Sequence, residues 1–200
     1  MQIKKEEVKD EIDRAAVRVF LEKGYRRASM KEIARIAETS VSNMYNYYSG
    51  KLDLFTALVQ PVLGSIHRLL DSLIEQEEEL SLTEKSSREE FERLLIGTLS
   101  EFLGFRREPL LLLFDKSQGT PFESSRDEMI QFVEKHFIDS LPQHQRTGEI
   151  LLLMHILASN FMEGLLEIVR HSRNDAERRI VLRGLVQYHI NGIYPFFEEG

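Results

Sequence analysis

The sequence predicts an all-α fold of about nine helices, a short three-helix head followed by a longer helical body. Three observations predict it. Capping signals recur just ahead of apolar runs: Ser29-Met30-Lys31-Glu32, Ser87-Arg88-Glu89-Glu90, Ser125-Arg126-Asp127-Glu128 and Asn174-Asp175-Ala176-Glu177. The apolar residues that follow keep a helical rather than an alternating period. Breaks fall at Gly24, at Gln118-Gly119-Thr120-Pro121 and at Leu141-Pro142, with no hairpin signal and no internal repeat.

The first helix is expected from about Lys4 to Lys23. Val8, Ile12, Ala15, Ala16 and Val19 form one stripe, Phe20 extends it, and Gly24 stops the helix with a residue free to take positive φ. Tyr25-Arg26-Arg27-Ala28 links to the second helix, whose apolar face is Ile33, Ala34, Ile36 and Ala37. Glu38-Thr39-Ser40 interrupts that face, and Ser40 or Ser42 can cap a third helix running to about Tyr48, with Met44 and Tyr48 to bury. Gly50, Lys51 and Asp53 open a fourth helix to about Glu79, which Pro61 should kink near Ala57 and Leu58. Ser81 to Ser87 reads as a polar loop. The fifth helix holds Phe91, Leu94, Leu95, Leu99, Phe102 and Phe105. A short apolar helix starts at Pro109, the seventh ends near Leu141-Pro142, the eighth spans about Thr147 to Ser172, and the ninth runs to about Phe197.

Composition narrows the class. The 200 residues suffice for one or two domains with a real core. Cysteine is absent, which excludes a disulfide framework and a thiolate metal site. The first residues, MQIKKEEVKDEIDR, are too polar for a signal peptide, and the uncharged run Ile150–Met162 is shorter than the about 20 residues a bilayer requires, so the expected location is cytoplasmic with no membrane contact. Net charge is −7, unevenly placed: residues 1–51 carry +3 and the remainder −10. A mildly basic head on an acidic body suits a modular nucleic-acid binder.

The stretch Ser29–Leu54 has the pattern of a helix-turn-helix. Its third helix presents small, amide and phenolic side chains, a poor core but good partners for phosphates and base edges. Ile33, Ala34, Ala37, Ser40, Tyr45, Tyr47, Lys51 and Leu54 match the pattern I-A-x-x-A-G-V-S-x-x-x-L-Y-x-Y-F-x-x-K-E-x-L, with Met44 in place of Leu and Tyr48 in place of Phe. In these residues the chain resembles the DNA-binding domain of the tetracycline-repressor-like (TetR) family. One residue departs: Glu38 stands where the turn normally carries Gly, and at positive φ it would cost about 1 kcal/mol.

The resemblance implies a helix-turn-helix DNA-binding domain over 1–49 and an effector-binding and dimerisation domain over 50–200. It places Ser29, Met30 and Lys31 at the start of the second helix, and Val41, Ser42, Asn43, Tyr45, Asn46 and Tyr47 on the third, against double-stranded operator DNA, with Lys51 on a phosphate. Asn43 and Asn46 can read an adenine edge, and Val41 can pack on a thymine methyl. Tyr48 reads better as core. It also implies a homodimer through the eighth and ninth helices, where Gly184 and Gly192 would allow close backbone approach, on a palindromic operator.

For a small-molecule effector, Phe102, Phe105, Phe114 and Phe137 are candidate apolar walls, and Asp115, His155 and Ser159 candidate polar contacts. His155, Ser159 and Glu163 recur every four residues, a stripe that suits a pocket, a dimer contact or solvent. The six His form no helical metal pair, and phosphate-loop, nucleophile-elbow and Cys-nucleophile motifs are missing, so neither a cofactor, a metal nor enzyme activity is expected. The expected function is a transcriptional repressor released from DNA by a small molecule. The alternative keeps the same DNA-binding fold under control of a protein partner, or as an architectural binder.

Overall fold

The computed structural model describes residues 2–80 and 85–198. Its described residues form nine α-helices and one 3-10 turn, with no strand. The helices are α1 (Gln2–Arg27), α2 (Met30–Ile36), α3 (Val41–Met44), α4 (Lys51–Leu80), α5 (Lys85–Phe105), α6 (Arg107–Asp115), α7 (Ser125–Asp139), α8 (Gly148–His171) and α9 (Asp175–Glu198), with the 3-10 turn at Gln143–Gln145. Of the loop expected at Ser81–Ser87, residues 81–84 lie outside the described residues and the rest already belong to α5.

The chain divides into two compact units. One comprises Met1–His67 with Glu108–Ser124, the other Arg68–Arg107 with Ser125–Gly200. The division therefore falls inside α4, not at 49/50. The reason is burial: Leu54, Phe55, Val59 and Val62 on the first half of α4 are core residues, so those turns pack as part of the head.

In the first unit, Ile12, Ala15, Ala16, Val19 and Phe20 bury the stripe read from the sequence. Gly24 breaks α1 with φ 74° and ψ 163°, a conformation L side chains rarely adopt. The Lys23 ammonium pairs with the Glu32 carboxylate and ties α1 to α2. The turn from Ser117 to Phe122 is self-supporting. The Thr120 hydroxyl donates to the Ser117 carbonyl at 2.7 Å, and the Ser117 hydroxyl donates to the Phe122 carbonyl at 3.2 Å. This segment joins the head through two contacts that sequence reading missed. The Tyr25 N–H donates to the Lys116 carbonyl at 2.9 Å, and Phe122 lies 6.4 Å from Phe55, centroid to centroid.

In the second unit, α7 packs on α8, α5 on α9, and α8 on α9. Met154, Ala158, Met162 and Leu166 form the buried side of α8, and Leu182 and Val186 that of α9. The close approach between these helices is at Gly164, where a Cβ would meet Leu185 at 2.7 Å. Gly184 and Gly192 instead face open space. α4 runs unbroken through Pro61, with the Ser65 hydroxyl donating to the Pro61 carbonyl at 2.9 Å. By length and apolarity alone α8 could cross a bilayer, but its Glu163 is held by Arg126 of α7 and by Arg170.

Candidate nucleic-acid interface and body cavity

The helix-turn-helix is built by local hydrogen bonds that the sequence encodes. The Ser29 hydroxyl accepts from the Glu32 N–H at 3.2 Å, one half of the expected capping box; the Glu32 carboxylate turns to Lys23 instead. α2 ends in a Schellman turn, with the Thr39 N–H donating to the Ala34 carbonyl at 3.0 Å. That turn requires a left-handed residue, and Glu38 supplies it at φ 50°. Ser40, rather than Ser42, caps α3: its hydroxyl accepts from the Asn43 N–H at 3.0 Å. The α-helical part of α3 is one turn, and the bonds from Tyr47 and Tyr48 N–H to the Met44 carbonyl, both 3.0 Å, continue it as a tight turn.

An L residue at positive φ carries about 1–2 kcal/mol of strain, offset in part by glycine's larger entropy loss of about 0.5–1 kcal/mol. Glu38→Gly is accordingly expected to stabilise the head and raise the melting temperature by about 2–4 °C, measured by circular dichroism. An unchanged or lowered melting point would show that the turn is relaxed.

Around this frame, Ser29, Lys31, Ser42, Tyr45 and Asn46 are exposed, and Met30, Val41, Asn43 and Tyr47 are half-buried. Tyr45 is 55% exposed, whereas Met44 is fully buried. The amides form a chain: Asn43 donates to the Thr39 hydroxyl at 2.9 Å, and Asn46 donates to the Asn43 side-chain carbonyl at 3.1 Å. The second Asn46 N–H and its carbonyl oxygen remain available for an adenine edge. The Lys5 ammonium lies over the Tyr47 ring, 5.8 Å from its centroid.

Tyr48 is a core residue. Its hydroxyl donates to the Asp13 carboxylate, which also pairs with Lys9 at 2.8 Å. Burial, then the bond to Asp13, pushes the Tyr48 phenol up to about 12. The Asp13 carboxylate first, and Tyr48 second, hold the Lys9 ammonium well above its ordinary range. No periodicity in the sequence marks this pair of residues, which are 35 positions apart.

Lys51 is placed differently from a free phosphate clamp. Its ammonium donates to the carbonyls of Tyr25 at 2.8 Å, Ala28 at 3.0 Å and Arg26 at 3.4 Å, and it sits 4.3 Å from the centroid of the Tyr25 ring. Burial lowers its pKa. An ammonium has three N–H donors, and here each has a carbonyl. Lys51 thus fixes the last turn of α1, beyond Gly24, and the start of the α1–α2 linker against the first turn of α4.

The second unit holds an apolar cavity of about 140 Å³ between α4, α5, α7, α8 and α9. Leu73, Phe91, Phe132, Phe137, Phe161 and Val186 make its walls. Its polar groups are the ion pair of Glu77 with His136, at 2.8 Å, together with Ser140 and His189. The bond to Glu77 raises the His136 pKa against the opposing effect of burial.

Of the effector candidates read from the sequence, Phe137 lines this cavity. Phe102 is buried but is not among the side chains that line it, with the Arg106 guanidinium 4.8 Å from its ring centroid, and Phe105 is 80% exposed. Phe114 and Asp115 belong to the first unit. His155 pairs with Glu134 of α7 at 2.8 Å, and Ser159 is half-buried. The polar stripe of His155 and Glu163 is thus taken up by α7. Among the described residues, no group of three or more His, Asp or Glu side chains could hold a metal ion.

Residues 12–58 match the family model for bacterial regulatory proteins of the tetR family. Among curated proteins, none matches the sequence. Three solved structures share the fold. A TetR-like transcriptional regulator from Rhodococcus sp. RHA1 is 24% identical over 92% of this chain and 96% of its own, with a TM-score of 0.53. A TetR family transcriptional regulator from Chloroflexus aurantiacus J-10-FL is 16% identical over 94% and 93%, at 0.55. A fatty acid degradation regulator from Bacillus halodurans is 16% identical over 92% and 95%, at 0.53.

Proposed function

We propose that this chain, whose residues 12–58 match the model for bacterial regulatory proteins of the tetR family, is a homodimeric repressor of that family, released from a palindromic operator by a small molecule. The helix-turn-helix match and the all-α fold support a DNA-binding transcriptional regulator. The observation that carries the DNA reading is the outward face of α3, where Ser42, Tyr45 and Asn46 are exposed around a helix pinned by its Ser40 cap. Tyr45 and Tyr47 would clamp phosphates, Asn46 would read an adenine edge, and Ser29, Met30 and Lys31 would meet the flanking backbone. Asn43 would orient Asn46 as well as contact DNA. Lys51 would act on the DNA through the linker it holds, with its charge added.

The dimer would form on α8 and α9. Leu152, Ile156, Ile180, Val181 and Tyr188 are all exposed there, and Gly184 leaves room for a second helix. Such a protein works in the cytoplasm. The apolar cavity favours a small-molecule effector over a protein partner or an architectural role. A ligand there would touch the later turns of α4, the helix whose first turn carries Lys51, and would bias the head spacing that the operator selects.

Fluorescence anisotropy on the DNA flanking the gene, with scrambled DNA as control and a salt series, tests the proposal. Saturable binding to a palindromic segment well above the control is expected, and Tyr45→Ala with Asn46→Ala should weaken it by about 10–100-fold. Equal binding to both DNAs would move the architectural reading to the front.

A further inference from the structure

Resting on the reading that the head binds DNA, we propose that Arg26 and Arg27 take backbone phosphates beside the helix-turn-helix, and that the turn Ser117–Thr120, outside the matched residues 12–58, positions Arg26 to do so. The backbone under the two arginines is clamped from both sides. The Lys51 ammonium holds the carbonyls of Tyr25, Arg26 and Ala28. From the α6–α7 segment, the Lys116 carbonyl accepts from the Tyr25 N–H at 2.9 Å, and the Ala28 N–H closes onto the Gly24 carbonyl at 3.2 Å. Cations on a segment fixed in this way lose little freedom when an anion arrives.

The side chains are set as well. The Arg27 Nε–H donates to the Lys23 carbonyl at 3.0 Å, which leaves the four N–H groups of its two terminal nitrogens for a phosphate. The stem of Arg26 crosses Gly119, where a Cβ would come within 2.9 Å of its Cγ and Nε. Gly119 has φ 89°, and its N–H donates to the Glu123 carboxylate at 2.8 Å, so the turn holds its own shape. Gly119 is the positioning residue and Arg26 the contact.

Charge and place point to DNA. Arg26 and Arg27 are exposed and share one cleft with Lys116. Neither guanidinium has an ion pair among the described residues. Lys23, also in the cleft, is neutralised by Glu32, and the carboxylate there, Asp115, has a partner of its own. Like charges without a counter-charge attract an anion. Arg27 is two residues from Ser29, so their Cα atoms are at most about 7.6 Å apart and its contact adjoins those of Ser29 and Lys31. Both arginines stand in solvent, where a small anion keeps its hydration, whereas a duplex gains by releasing counterions.

The test is fluorescence anisotropy of the full chain over a salt series, on the flanking DNA and on a scrambled duplex. Arg26→Gln with Arg27→Gln should weaken binding to both duplexes alike. Each lost phosphate contact lowers the slope of log K against log salt by about 0.9, so the pair should lower it by about two for each head. Arg26→Lys with Arg27→Lys should keep most of the slope, and Gly119→Ala, which retains every charge, should lower it by about one for each head. In wild-type protein carrying ¹⁵N-labelled arginine, either duplex should shift the Arg26 and Arg27 Nε resonances, a readout that needs no variant to fold. An unchanged slope in the double Gln variant, or a slope that falls only together with the melting temperature, would overturn the assignment. So would calorimetric binding of inorganic phosphate that the double Gln variant loses while its DNA slope is unchanged. If the slope falls as stated and no palindromic segment is preferred over scrambled DNA, the phosphate contacts stand and the operator reading fails. If Tyr45→Ala with Asn46→Ala abolishes that preference while the arginine variants leave the slope alone, the reverse holds. No binding to either duplex overturns both.

Discussion

Phe55→Ala lowers the stability of the head by about 3–5 kcal/mol. Phe55 is fully buried and sits at the centre of an aromatic cluster. Phe20 and Tyr25 pack edge-on against it at 5.1 Å and 5.3 Å, and the Phe122 ring lies tilted at 6.4 Å. These rings come from α1, its last turn beyond Gly24, α4 and the turn before α7. Removing the central ring loses its transfer free energy and opens a cavity that three converging segments cannot all collapse into. The chain has no Trp, and four of its six Tyr lie in residues 25–48, so tyrosine fluorescence during urea unfolding reports the head directly. A loss below about 1 kcal/mol, the usual surface range, would mean that the cluster repacks around the gap.

Lys51→Met should cost about 2–4 kcal/mol, because hydrogen bonds to a charged donor contribute about 1.5–3 kcal/mol each and the partly buried carbonyls of Tyr25 and Ala28 would be left without it. Methionine keeps the aliphatic stem, so packing changes little. The same variant separates two roles. A residue that only contacts phosphate would leave the melting temperature unchanged and reduce the salt slope of DNA binding by about one. A residue that holds the linker lowers the melting temperature and weakens DNA binding together. An unchanged melting point would return Lys51 to the phosphate role alone.

Local features were legible in the sequence because local chemistry causes them. The Ser29 and Ser40 caps, the stop at Gly24 and the strained turn at Glu38 each depend on residues within a few positions of one another. The buried stripe of α1 follows from its period, and Met44 and Tyr48 were the only residues of the third helix with reason to be inside. The candidate effector site was far less legible. Single Phe residues in apolar helices do not say which cavity they face, and of the expected walls Phe137 lines the cavity whereas Phe105 is exposed.

The sequence by itself determined the all-α class, the helix-turn-helix with its caps and turn, and the residues offered on its exposed face. Short-range hydrogen bonds and periodic burial depend only on spacing along the chain. The tertiary structure alone decided that residues 108–124 complete the head, that Lys51 spends its ammonium on three carbonyls some 23 to 26 positions away, and that Tyr48 answers Asp13. It also decided which side chains of α4, α5, α7, α8 and α9 wall the apolar cavity of the body. These depend on which surfaces meet after the helices pack, and the long-range closure that brings them together leaves no local pattern.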